Sequence, residues 1–367
     1  MTESLLRFVT SRTVVGQFRR MAHGDAKLTP FSFSYEPPGN PPLDFAVDPK
    51  SPIPSNIHVL IGRNGVGKTH LLNNLTQAVL GDDEQCRGTF RLSERGNNGS
   101  FANLISVSFS AFDDLKVPPD RKSEIDEIGF SFIGLRRSNG ELKPKEELVK
   151  EFISSLNECQ VGTRKKRWEH MIERLQSDPV FRAAQLESMF SHDSSEGKAN
   201  IENIFGRLSS GHKIVLLTLT RLIEKVEERS LVLIDEPEAH LHPPLLSAMT
   251  RALSDLMAMR NGVAIIATHS PVVLQEVPKS CVWILRRILT EANAERPAIE
   301  TFAENIDTLS REVFQLELVQ SGYHHILARL RAQENSYEDA IEEIEGHLGA
   351  EGRAVLRAMY LDNTENS

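Results

Sequence analysis

The stretch "GRNGVGKT", residues 62–69, decides how the rest of the chain is read. It fits G-x-x-x-x-G-K-[ST] and stands between the apolar run "IHVLI" (57–61) and the helical pattern "THLLNNLTQAVLG" (69–81). A strand, a glycine-rich turn and a helix start in that order make an anion cradle. The glycines allow the tight turn, backbone N–H groups point at phosphate oxygens, and the helix N-terminus adds partial positive charge. The spacing assigns Gly62, Arg63, Asn64, Gly65, Val66 and Gly67 to the loop, with Lys68 reaching the β- and γ-phosphates. Thr69 would ligate Mg2+, and His70 completes the cofactor-binding set. The expected ligand is a nucleoside triphosphate with magnesium.

Outward from the loop, further apolar runs follow: "NLISVSFS" from 103, "LVLIDE" from 231, "VAIIATHS" from 263 and "CVWILRR" from 281. Short continuous apolar runs separated by helical segments predict strands buried on both faces of a mostly parallel sheet, so the core is α/β. The run at 231 ends in Asp235 and Glu236. A strand end in such a sheet opens onto the same crevice as the phosphate loop. Adjacent side chains on a strand point in different directions, so the two acids can divide their roles. Asp235 would join the magnesium shell and Glu236 would polarise the attacking water, a contribution of about 10²–10⁴ in rate. The next run ends in Thr268 and His269, where an imidazole can donate to a γ-phosphate. Glu238, His240 and His242 alternate nearby, but their spacing matches no zinc pair on a helix and shows no fourth ligand, so no transition metal is expected.

The core is expected in residues 1–112 and 200–300. Residues 113–199, with "PKEELVKEFISSLNEC" and "KRWEHMIERLQ", predict a helical insertion without sustained heptads. Residues 301–367 predict a helical C-terminal extension, with apolar residues at three- and four-residue spacing.

The 367 residues are 40% hydrophobic, enough for a substantial core, yet runs such as "VAIIA" (263–267) fall far short of the roughly 20 apolar residues of a membrane span. The N-terminus lacks the apolar core of a secretory signal, so a cytoplasmic protein without a membrane partner is expected. Cys86, Cys159 and Cys281 have neither disulfide nor zinc spacing and are expected to be reduced. A net charge of -9 opposes general attraction to nucleic acid. The basic run "RKKRW" (164–168) is expected to be a solvated helix face with one anchoring aromatic.

A second polar helix start, "GRLSSGHKIVLLTLTRL" (206–222), lies far from the loop in sequence. The order phosphate loop, "LSSGHK", "LVLIDEPEAHLH", "ATHS" resembles ABC-type ATPases, the group of transporter motors, SMC-like proteins and the RecF and OLD relatives. The resemblance covers roughly residues 30–115 and 200–290. It implies that Ser209, Ser210 and Gly211 cap the γ-phosphate held by another subunit, with Leu208 packed beneath and Ala239–His242 at the dimer interface. It implies ATP with Mg2+ and a homodimer or higher oligomer. Ser210 and His212 replace the second glycine and the glutamine of transporter motors. "SVSFSAFDDL" also lacks the glutamine that couples those motors to membrane partners, although Ser110 and Asp113 occupy neighbouring positions. The wording "DEPEAHLHP" and the segment "ENIDTLSREVFQLEL" are similar to the stand-alone ATPase subunit of Septu-type antiphage systems. That likeness implies regulation of a separate HNH-type nuclease, with DNA contacted through it. A RecF-like ATPase binding DNA directly, a transporter motor and a scaffold with little turnover are the alternatives.

Overall fold

A computed structural model describes residues 29–81, 87–93, 100–109, 118–121, 128–137, 139–190, 195–288, 291–320 and 322–361. The described chain forms two compact units, one ending at Ile306 and the other beginning at Asp307. Cys86, Ser110 and Asp113 lie outside the described residues.

The first unit is α/β. Its main sheet has seven strands in the order β10-β9-β3-β8-β7-β5-β6. These are β3 (Ile57–Ile61), β5 (Asn103–Ser108), β6 (Gly129–Gly134), β7 (Leu231–Asp235), β8 (Val263–Thr268), β9 (Val282–Ile288) and β10 (Glu291–Glu295). All pairings are parallel except that of the edge hairpin β9–β10. Every residue of β3, β7 and β8 is buried, as continuous apolar runs covered on both faces require. A separate antiparallel sheet, β2-β1-β4, joins β1 (Phe31–Glu36), β2 (Leu43–Val47) and β4 (Thr89–Ser93). Its inward rings stack, Phe33 on Phe45 at 4.8 Å between centroids, with Phe101 edge-on to Phe33 at 5.4 Å.

Register places the site. Ile61 pairs with Thr268, and Asp235 lies between Ser108 and Ala267. The residues that follow β3, β7 and β8 therefore emerge together at the C-terminal edge of the sheet. Helix α1 (Lys68–Leu80) starts there and buries Leu72, Leu75 and Val79 at helical spacing.

The interval 113–199 is not wholly helical. Residues 129–134 form β6, an edge strand parallel to β5, which the short run "GFSFIG" between polar segments did not announce. Helices α2 (Lys145–Cys159), α3 (Thr163–Leu175), α4 (Pro179–Ala183) and α5 (Ser195–Arg207) follow. Helix α6 (Ser210–Lys225) is covered by α2 and α3 and buries eleven of its residues, Arg221 included. Trp168 is fully buried and donates from Nε1 to Thr220 Oγ1 at 3.1 Å, while Phe152 stacks on Phe205 at 4.4 Å. Each such ring stabilises by about 1.5–3 kcal/mol through burial alone. The basic run thus reads as expected: Lys165 and Lys166 are exposed and Trp168 is the anchor. Helices α7 (Pro243–Arg260) and α8 (Pro271–Leu274) complete this unit's main elements. Among the described residues no helix is long and apolar enough to cross a membrane.

In the second unit, α10 (Tyr323–Gln333), α11 (Tyr337–Glu343) and α12 (Ala350–Leu361) follow α9 (Ile306–Gln320) and enclose Leu327, Leu330, Ala340 and Leu356. Arg331 lies over the Tyr360 ring at 4.2 Å.

Candidate functional site

The loop 62–67 leaves β3 and closes on α1. Gly65 (φ 80°) and Gly67 (φ 101°) lie in the left-handed region, and the space where a Cβ would stand on either is open. Both hold a backbone conformation that L side chains rarely adopt, as the tight turn of an anion cradle requires. Lys68 is only 4% exposed. Its Nζ donates to the carbonyls of Gly62 at 3.0 Å and Arg63 at 3.1 Å and stands 3.5 Å from Glu236 Oε1. Neutral carbonyls hold this buried cation, so phosphate oxygens can replace them without stranding a charge. Thr69 sits in the first turn of α1, one residue beyond Lys68, where its hydroxyl can serve a metal. These features fit a magnesium-bound nucleoside triphosphate. Beside the loop, a cleft bounded by Pro38, Asn40, His70, Asn74, Leu285 and Arg287 leads off Gly67.

Asp235 ends β7 and is buried. Glu236 follows with φ 45° and ψ 57°, a left-handed conformation that a non-glycine residue holds at a cost of about 1–2 kcal/mol. The bend is held by Glu236 N–H donating to the Ala267 carbonyl at 2.9 Å. It turns the Glu236 carboxylate toward Lys68 and toward His269, whose Nδ1 lies 3.8 Å from Glu236 Oε1. Strain of this kind persists where the surroundings over-determine it, commonly at reacting centres.

Glu238 carries a role the sequence reading missed. Its Oε1 accepts the Thr268 hydroxyl at 2.5 Å and the His269 N–H at 2.6 Å, and lies 3.1 Å from His269 Nδ1. Its side chain is 8% exposed. The carboxylate two residues beyond Glu236 thus fixes the turn that carries His269. The signal in the sequence was Pro237, which opens a single 3-10 turn (Pro237–His240) one residue after the strand end.

The second helix start has a different neighbour. Ser209 is the N-cap of α6, and Ser210 is exposed. Leu208 is buried, as expected for a residue packed beneath the cap. A Cβ on Gly211 would stand 2.5 Å from the His240 carbonyl, so glycine alone lets α6 approach the segment after β7. Ser209 Oγ is 2.6 Å from His212 Nδ1, and His212 Nε2 is 3.1 Å from Asp178 Oδ1. The structure therefore gathers Lys68, Asp235, Glu236 and His269 at one sheet edge, and ties Ser209–Gly211 to the loop containing His240.

Of the three alternating residues, Glu238 faces His269, His240 is exposed, and His242 turns toward Asp178. Burial pushes the Asp178 carboxyl up, but hydrogen bonds from His212, Val180 N–H and Phe181 N–H outweigh it and hold the group below its ordinary value. Burial pushes the Cys159 thiol up to about 12 and the Cys281 thiol up to about 11.

A family model described as "AAA domain, putative AbiEii toxin, Type IV TA system" matches residues 78–275, more than half of the chain, beginning just beyond the phosphate loop. Protein ea59 of Escherichia phage lambda is 43% identical over 390 aligned residues, which span 99% of this chain and 74% of that protein. Among solved structures, cbiO1 from Clostridium perfringens, part of the ABC transporter complex cbiONQ, aligns with a TM-score of 0.39 at 14% identity. That alignment covers 82% of this chain and 98% of the other. An ATP-binding cassette of an ABC transporter in its ADP conformation aligns with a TM-score of 0.37 at 12% identity, covering 79% and 97%.

Proposed function

The chain belongs to this family of AAA domains, and from that premise we propose that it is an ATP-hydrolysing switch that closes as a dimer over two nucleotides and regulates a separate effector nuclease in antiphage defence. The observation that carries the catalytic half is a single oxygen. Glu236 Oε1 lies 3.5 Å from Lys68 Nζ and 3.8 Å from His269 Nδ1, between the cation of the phosphate loop and the imidazole of the next strand.

Bound Mg2+ and ATP supply the phosphoanhydride and neutralise its charge. Gly65 and Gly67 present backbone N–H groups, and Lys68 exchanges its two carbonyl partners for phosphate oxygens. Thr69 and Asp235 would hold the Mg2+. Glu236, whose Oε1 stands 3.5 Å from Lys68 Nζ, orients the attacking water and accepts its proton at a carboxylate oxygen. His269 donates to the γ-phosphate, positioned by the bond from its own N–H to Glu238. Ser209, Ser210 and Gly211 of a second copy cap the same phosphate, aided by the dipole of the helix behind them. A closed triphosphate state and a relaxed state after hydrolysis make the dimer bistable, which suits a regulator.

The nuclease and the defence role are supported by likeness alone, that of "DEPEAHLHP" and, more narrowly, of "ENIDTLSREVFQLEL" to the ATPase subunit of Septu-type systems. The exposed basic run on α3 is short, which favours DNA contact through the partner over direct binding. The test is Glu236→Gln. Hydrolysis should fall about 10²–10⁴-fold while ATP binding persists, and sedimentation should show an ATP-dependent dimer that accumulates. An unchanged rate would remove Glu236 from the mechanism, and purification with the products of adjacent genes should recover a nuclease.

A further inference from the structure

Three side chains from three separate elements converge beside the start of α6. Asp178 is the N-cap of α4, His212 lies in the first turn of α6, and His242 is the N-cap of α7. His212 Nε2 is 3.1 Å from Asp178 Oδ1, and His242 Nε2 is 3.8 Å from Asp178 Oδ2. One donor atom from each residue lies within 4.8 Å of the other two. Asp178 and His212 are buried, and the His242 side chain is 52% exposed.

We propose that Asp178, His212 and His242 form a divalent transition-metal site, matched best to zinc, with water completing the shell. Two imidazoles and one carboxylate are a ligand set of open, three-ligand zinc sites. With metal–ligand bonds of about 2.0–2.2 Å, tetrahedral donors stand about 3.3–3.6 Å apart. Each imidazole faces a different carboxylate oxygen, at 3.1 and 3.8 Å, and the three donor atoms lie within 4.8 Å of one another, close enough for small side-chain shifts to bring them onto one ion. The longer distance is beyond a hydrogen bond, so His242 faces the carboxylate across a gap that an ion would bridge and a shared proton does not. Ser209 Oγ, 2.6 Å from His212 Nδ1, orients the ring with Nε2 toward the site, the support that metal-ligating imidazoles commonly have. The exposed edge of His242 gives ion and water a way in. The sequence discounted a metal near His242 for want of further ligands. The fold brings Asp178 and His212 from 64 and 30 positions upstream.

The site reaches the signature serine. With no ion, the Asp178 carboxylate, which only accepts, selects the tautomer whose Nε2–H donates to it, and leaves His212 Nδ1 to accept the Ser209 hydroxyl proton. With an ion on Nε2, the ring proton sits on Nδ1 and donates to Ser209 Oγ, leaving the hydroxyl proton free to reach a phosphate oxygen. This coupling rests on the reading of Ser209 as a γ-phosphate cap; the metal site does not.

Tag-free, full-length protein, stripped with EDTA and free of nucleotide, is dialysed against zinc chloride and its metal content measured by mass spectrometry. One ion per chain is expected in the wild type and in Lys68→Ala, which disables the phosphate loop. It should be lost in Asp178→Asn and His242→Asn, which keep a capping acceptor at each helix start and whose folding is checked by circular dichroism. No zinc in the wild type, or zinc retained in both asparagine variants, overturns the site. Zinc should change ATP hydrolysis several-fold in the wild type and not in His242→Asn, and a wild-type rate indifferent to zinc overturns the coupling. A protein that binds zinc but hydrolyses no ATP under any condition refutes the ATPase reading and leaves the metal site standing.

Discussion

Replacing Glu238 by alanine removes a carboxylate that holds the His269 turn through two hydrogen bonds. Its Oε1 accepts two hydrogen bonds, from the Thr268 hydroxyl at 2.5 Å and the His269 N–H at 2.6 Å, on a side chain 8% exposed. Hydrogen bonds to a charged group contribute about 1.5–3 kcal/mol each. The two share one oxygen and are not additive, and relief of a carboxylate buried close to His269 offsets only part. The expected loss is about 2–4 kcal/mol. Glu238→Gln keeps the accepting oxygen and should lose less than half as much. Urea unfolding followed by tryptophan fluorescence measures this for the first unit, because both tryptophans, Trp168 and Trp283, precede Ile306. His269 should also lose its position, and a displacement of about 1 Å costs on the order of 10²-fold in rate. A stability loss below about 0.5 kcal/mol, the range of an ordinary surface change, together with an unchanged ATPase rate, would refute the assignment.

His58 is buried on β3 and burial, with Arg296 adding to it, pushes its pKa from 6.5 down to about 3. The unfolded chain takes up the proton and the native chain does not, so stability is full above pH 6.5 and falls as pH drops toward 3. Between pH 7 and 5 the loss is about 2 kcal/mol, and urea unfolding at both values should show it in the wild type and not in His58→Leu. Gly211→Ala should destabilise by about 1–3 kcal/mol, because its Cβ would meet the His240 carbonyl at 2.5 Å. It should also weaken ATP-dependent dimerisation in sedimentation runs. Gly206→Ala, with nothing within 4 Å, is the neutral or stabilising control. Cys159 and Cys281, with thiols raised to about 12 and about 11, should resist a thiol reagent in the native protein and react on unfolding. Rapid native labelling of either would show that its burial is wrong.

The strand, glycine turn and helix start around residues 62–69 were legible because they are local: glycines, a lysine and a helix start are consecutive along the chain. The strands β3, β7 and β8 were legible because burial on both faces demands continuous apolar runs, and β5 and β9 because they too begin as apolar runs. The helix starts at Ser209 and Lys68 were marked by their own capping residues and glycines. The alternation of "FSFSYE" and "LDFAV" encodes the β1–β2 hairpin and was available to be read, while β6, bounded by glycines and interrupted by a serine, carries no continuous apolar run to declare it. What no local pattern contains is which residues meet. Sheet order and register put Ile61 beside Thr268 and Asp235 beside Ala267, and so set Glu236 between Lys68 and His269. The alternating Glu238, His240 and His242 look like one cluster in sequence. The Pro237 turn and the N-cap of α7 send Glu238 to His269 and His242 to Asp178. Sequence fixed the kind of chemistry through residue types at short range; only packing across long separations decided the partner of each carboxylate and imidazole, because those contacts form when layers dock.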